Sequence, residues 1–147
     1  MSELNGNLYT KQTADQAAKY LPNEAGGKIR VARDVIVLAS GAAVGDTINL
    51  FKLPCGARLL ETSELRIASG GPTASTTIQA GDATSAARYL AAVAPGVSGG
   101  TVKLDALQFT SGGYVVTSGN ETVRLTVSGG VLSSGTVIGM QLEYVDY

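Results

Sequence analysis

The stretch LFKLPCGARLLETSELRI, Leu50 to Ile67, decides how the chain is read. It opens as a strand, turns at Pro54-Cys55-Gly56 and resumes as a second strand. Proline fixes its own φ, and glycine permits a sharp reversal. After the turn, Leu59, Leu65 and Ile67 share one face, while Arg58, Thr62, Glu64 and Arg66 share the other. That two-residue period is the mark of a half-buried strand. The lone cysteine, Cys55, occupies the corner. Nothing cationic precedes Arg58 beside it, so an activated thiolate is not expected. The corner reads as a hairpin turn, not as a reactive site.

The same period recurs along the chain. In KIRVARDVIVLAS, Ile29, Val31, Val35 and Val37 share a face, and Arg33 interrupts it as the sign of a bulge or bend. Ile48 and Leu50 alternate with Thr47 and Asn49. Val123, Leu125 and Val127 alternate with Thr122, Arg124 and Thr126, and Ile138, Met140, Leu142 and Tyr144 line one side of the last segment. Gly-rich punctuation such as ASGAAVGD, ASGGPT and VSGGVLSSG separates these runs, supplying the turn conformations that glycine and serine favour. Short strands at such spacing predict an all-β sandwich or barrel and not a βαβ fold. The segment GDATSAARYLAAVAP, Gly81 to Pro95, is helix-favouring by composition. Its β surroundings favour a short turn followed by a strand, and both readings stand open.

Residues 1–27 have a different texture, with few β-branched residues and a terminal Gly26-Gly27 pair. The expectation is an N-terminal arm over 1–27, partly helical or extended, followed by a single β-sandwich domain over 28–147. A chain of 147 residues is enough for one domain and a core without disulfides or metals. Its 16% charged residues leave a bland surface, which costs little to desolvate against another chain.

Several function classes recede on composition. The net charge is −1 and the 11 Lys and Arg are scattered, whereas nucleic-acid binding needs a clustered cationic face. No apolar run approaches the roughly 20 residues that span a bilayer, and the N-terminus does not have the pattern of a secretory signal. A single cysteine makes no intrachain disulfide. Histidine is absent, so Ser-His-Asp and Cys-His relays and the usual zinc sites are excluded. Glu61 and Glu64 have opposite parity in one strand, which points them to opposite faces and not into a paired acid site. Asp46 and Asp82, each in a Gly-Asp dipeptide, read as turn residues that bond their own backbone. No catalytic residue, cofactor or metal is expected, and the protein is read as no enzyme.

The order of these segments carries a resemblance. GD-x-I-x-L at Gly45 to Leu50, LP-x-GA at Leu53 to Ala57, GD…RYL at Gly81 to Leu90, V-x-L-T at Val123 to Thr126 and the terminal strand ending at Tyr144 together resemble the small jelly-roll head decoration, or cement, proteins of tailed bacteriophages. The resemblance covers about residues 28–147. It implies a jelly-roll-like antiparallel β-sandwich and a virion protein on the outer surface of the capsid. Such a protein binds the major capsid protein and stabilises the assembled shell by many weak, symmetry-repeated contacts. It also implies a homo-oligomer, dimer or trimer, with neither nucleic acid nor membrane as partner. Within the arm, Leu4, Leu8, Tyr9 and Tyr20 are the candidate capsid contacts, since apolar and aromatic anchors carry interface energy. The alternative is a tail- or head-fibre module that binds a host surface glycan.

Overall fold

The computed structural model describes residues 28–104 and 114–146. These residues form nine strands: β1 (Lys28–Val37), β2 (Thr47–Leu53), β3 (Arg58–Leu59), β4 (Glu64–Ile67), β5 (Thr77–Gly81), β6 (Leu90–Val93), β7 (Gly100–Lys103), β8 (Glu121–Ser128) and β9 (Val137–Asp146). One sheet has the order β1-β9-β4-β7, with the short β3 also pairing β9, and the other has the order β2-β8-β5-β6. Every pairing is antiparallel. Successive strands mostly alternate between the sheets, and each sheet brings sequence-distant strands side by side. This is the jelly-roll arrangement of two interleaved Greek keys, as expected.

The core lies between the sheets. Leu65 and Ile67 of β4 and Ile138, Met140, Leu142 and Tyr144 of β9 face inward from one side. Ile78 and Ala80 of β5 and Val123, Leu125 and Val127 of β8 face them from the other. The Phe51 and Tyr144 rings, one from each sheet, meet with centroids 5.7 Å apart in a tilted contact. Such a pair adds about 0.5–1.5 kcal/mol beyond its buried area.

Three local expectations change. Pro54 to Ala57 is a type II turn, with the Ala57 N–H donating to the Pro54 carbonyl at 3.1 Å and Gly56 at φ 86°. It is not a hairpin, because β2 lies in one sheet and β3 in the other; the chain crosses between layers there. Arg33 marks no bulge, since β1 pairs β9 without interruption from Lys28↔Asp146 to Val37↔Val137. The register shift falls instead between Asn49 and Phe51 in β2. The extra residue, Leu50, changes the parity of the strand, so Ile48 and Leu50 itself face inward on one parity and Phe51 and Leu53 on the other. Glu61 does not share a strand with Glu64 either. It lies in a turn closed by the Ser63 N–H on the Leu60 carbonyl at 3.0 Å.

The segment from Gly81 is a tight turn followed by β6. Ala-rich composition favours a helix locally, but Asp82 engages the backbone of the turn and β6 completes the second sheet, and tertiary pairing outweighs propensity.

Candidate interaction surface

Two places gather polar or exposed side chains. The first is a clasp at the β5–β6 turn. Asp82 is 5% exposed. Its Oδ1 accepts from the backbone N–H of Thr84 at 2.6 Å and of Ser85 at 2.8 Å, and from the Thr84 hydroxyl. Its Oδ2 accepts from Nε of Arg88 in an ion pair. Burial alone would raise the Asp82 pKa, but the hydrogen bonds from Arg88, Thr84 and Ser85 outweigh it and hold the carboxyl at about 2. The Arg88 guanidinium stacks over the Tyr114 ring, 3.9 Å from its centroid. Tyr114 and the fully buried Tyr89 each donate a hydroxyl to Glu121, one to each oxygen, at 2.7 Å. Burial and the Glu121 carboxylate push the Tyr89 hydroxyl far above its ordinary range, so it stays protonated as the donor. Each carboxylate oxygen in the cluster already has a partner from the same chain. The clasp therefore ties the turn to β8 and offers no reacting group. Asp46 is a turn acid of the same kind, accepting from the Ala43 N–H at 2.8 Å.

The second place is the outward face of the β1-β9-β4-β7 sheet. Ile29, Val31, Val35 and Val37 form a stripe along β1 that is 64%, 52%, 65% and 61% exposed. The half-buried reading of this face is corrected: β1 turns Ala32 and Ile36 toward the core instead. The inward parity is mixed: Ala32 and Ile36 alternate with Lys28, Arg30 and Asp34. Parity therefore pointed the wrong way, since the more apolar stripe is the one that faces outward. Pairing with β9, which no local pattern reports, sets which face turns to the core.

Beside the stripe, Gly139 of β9 lies opposite Val35 in the pairing register. An open depression of about 340 Å³ forms there, lined by Arg33, Val35, Glu64, Arg66, Gly139 and Gln141 among others. Its rim carries both signs of charge. Glu143, further along β9, accepts from the Thr62 hydroxyl at 2.6 Å and from the Gln141 amide at 2.8 Å. Those two bonds, with a smaller contribution from the Arg33 charge, hold its pKa below the ordinary carboxylate range.

The arm residues Leu4, Leu8, Tyr9 and Tyr20 lie outside the described residues. Cys55 is exposed, with only a long contact of 3.8 Å from its sulfur to the Val116 carbonyl. Among the described residues no group of three metal-binding side chains occurs, and no helix is long and apolar enough to cross a membrane.

A jelly roll with an apolar flank left bare is a shape suited to association, and comparison with solved structures supports a structural protein of a phage virion. The chain is similar to one in the capsid of Ralstonia phage GP4, with a TM-score of 0.68 and 26% identity over 82% of this chain and 86% of that one. It shares its fold with a chain of the cyanophage Pam1 capsid asymmetric unit, at a TM-score of 0.62 and 24% identity, over 99% of each chain. No protein-family model matches the chain, and no curated protein does.

Proposed function

We propose that the protein is a head decoration, or cement, protein that binds the assembled capsid shell from outside and stabilises it. The observation that carries this reading is the likeness to the Ralstonia phage GP4 capsid over most of both chains. The sandwich supports it with a bland surface and an apolar flank on an edge strand, and with carboxylates in its polar clasp that are already engaged. In this reading residues 1–27 are an arm that docks on the major capsid protein, and Leu4, Leu8, Tyr9 and Tyr20 are its anchors. Each contact can be weak, because the contacts are repeated over the lattice and add up by avidity.

The test is a pair of measurements on virus particles and purified shells. Quantitative mass spectrometry is expected to find copies in a simple ratio to the major capsid protein. A handful per particle would place the chain at the tail or on a fibre, and the glycan-binding alternative would lead. A chain lacking residues 1–27 is expected to fold, by circular dichroism, and to lose shell binding in co-sedimentation. Retained binding by the truncated chain sinks the arm assignment.

A further inference from the structure

The β2-β8-β5-β6 sheet turns two cations to its outward face. Val123, Leu125 and Val127 fill the inner side of β8, so Thr122, Arg124 and Thr126 point outward. Facing residues of antiparallel strands point to the same side. Asn49 faces Arg124 and Lys52 faces Thr122 across the β2–β8 pairing, so both join that outward face. Asn49 and Lys52 are three residues apart, and an odd separation would ordinarily set them on opposite faces. The register shift between Asn49 and Phe51 is what turns Lys52 outward beside Arg124. A bulge re-aims side chains in this way. The two cations are diagonal neighbours on adjacent strands, with backbones roughly 7–8 Å apart, and long side chains close that gap.

Neither cation is neutralised within the described chain. The Nε of Arg124 is buried and has no hydrogen-bond partner. Among the described residues neither Arg124 nor Lys52 has an ion pair. A buried donor without an acceptor is costly, and native chains keep few of them. Gly81 faces Arg124 across the β5–β8 pairing, and the Ser85 carbonyl and Ala86 backbone fill the place its Cβ would take. The β5–β6 turn therefore walls that side of the face without supplying an acceptor, since the Ser85 carbonyl already accepts from the Asp82 and Arg88 N–H groups. The nearby acids are engaged as well. Glu121, the one acid in these four strands, accepts from Tyr89 and Tyr114. Asp82 accepts from Arg88, Thr84 and Ser85, and Asp46 from the Ala43 N–H.

We propose that Arg124 and Lys52 form an anion site that takes a carboxylate side chain from a subunit of the capsid shell, with the Asn49 amide as a neutral donor beside them. The partner rests on the shell-binding reading above; the site itself does not. Arginine offers a planar fork that matches a carboxylate, and lysine adds a compact charge. A protein carboxylate fits this face better than an acidic sugar does. Sugars favour an aromatic ring to lie on, and Phe51, the one aromatic residue of these four strands, turns inward.

The test uses the full chain, and its two arms fail separately. In co-sedimentation with purified shells at low salt, the Lys52→Gln/Arg124→Gln variant is expected to bind about tenfold more weakly than wild type, with an unchanged circular dichroism spectrum. The difference is expected to close as salt rises, because screening weakens the charge contribution. Lys52→Gln alone, at an exposed strand position, is expected to show part of the same loss with no effect on folding. Variants that bind shells as tightly as wild type overturn the proposal. In the second arm the free chain is titrated with an oligoglutamate peptide, and the Arg124 Nε–H resonance is followed by NMR. That resonance is expected to shift, and Lys52→Gln is expected to weaken the response. An unmoved resonance overturns the site. A shift with oligogalacturonate and none with oligoglutamate overturns the protein partner and gives the face to an acidic glycan. If wild type itself does not bind shells, the shell-binding reading falls and takes the proposed partner with it, while the titration still decides the site.

Discussion

Replacing Asp82 with Ala is expected to cost about 3 kcal/mol of unfolding free energy at neutral pH, read by urea denaturation. Breaking a buried ion pair from one side typically costs about 3–5 kcal/mol, because the remaining charge is left without its partner. Here the lower end applies, since the Arg88 side chain is 22% exposed and can turn partly to water, while that of Asp82 is 1% exposed. The backbone N–H groups of Thr84 and Ser85 lose their acceptor in the same step. A loss below about 1 kcal/mol would mean that the turn holds its shape without the carboxylate.

The Asp82→Asn variant separates charge from shape. The folded pKa of Asp82 is about 2 against an ordinary 3.8, so the carboxylate binds its proton less readily in the folded chain than in the unfolded one. Its contribution is therefore complete above about pH 4 and is lost as pH falls through about 2, with a size on the order of 2 kcal/mol. The stability gap between wild type and Asp82→Asn is expected to narrow across that window. A gap that stays constant with pH would assign the effect to geometry alone.

The sequence was informative where one face was apolar and the other polar. Val123, Leu125 and Val127 against Thr122, Arg124 and Thr126 could be read in one way only, and the structure buries the first set. Gly56 after Pro54 showed that the chain turns, but not that it changes sheets, because a type II turn serves a hairpin and a crossover alike. The register shift at Leu50 left one trace, Lys52, which has the parity of the inward Ile48 and Leu50 yet is exposed, while the adjacent apolar pair Leu50-Phe51 obscured where the parity changes. The clasp was half legible. Asp82 in a Gly-Asp turn could be seen, whereas the meeting of Tyr89, Tyr114 and Glu121 depends on pairing between distant strands.

The largest contrast is expected between two substitutions that look alike on paper. Leu125→Ala is expected to cost about 3 kcal/mol and to lower the melting temperature by roughly 10 °C. Leu125 is wholly buried on β8, paired with Ile48 on one side and Ala80 on the other. Ala80 is too small to move into the space left behind, so the cavity stays open. Val35→Ala, in dilute protein, is expected to change stability by less than about 0.5 kcal/mol, because Val35 is 65% exposed. Both residues stand on strict two-residue alternations, so the difference tests which side of β1 the core occupies. A Val35→Ala loss above about 1 kcal/mol that fades on dilution points to cover by a second copy of the chain, since mass action removes such cover. A loss that persists on dilution, yet disappears in the chain lacking residues 1–27, assigns the cover to that segment. The inner side of β1 rests Ala32 and Ile36 on the core, and the dilution series identifies what covers the apolar stripe on the outer side.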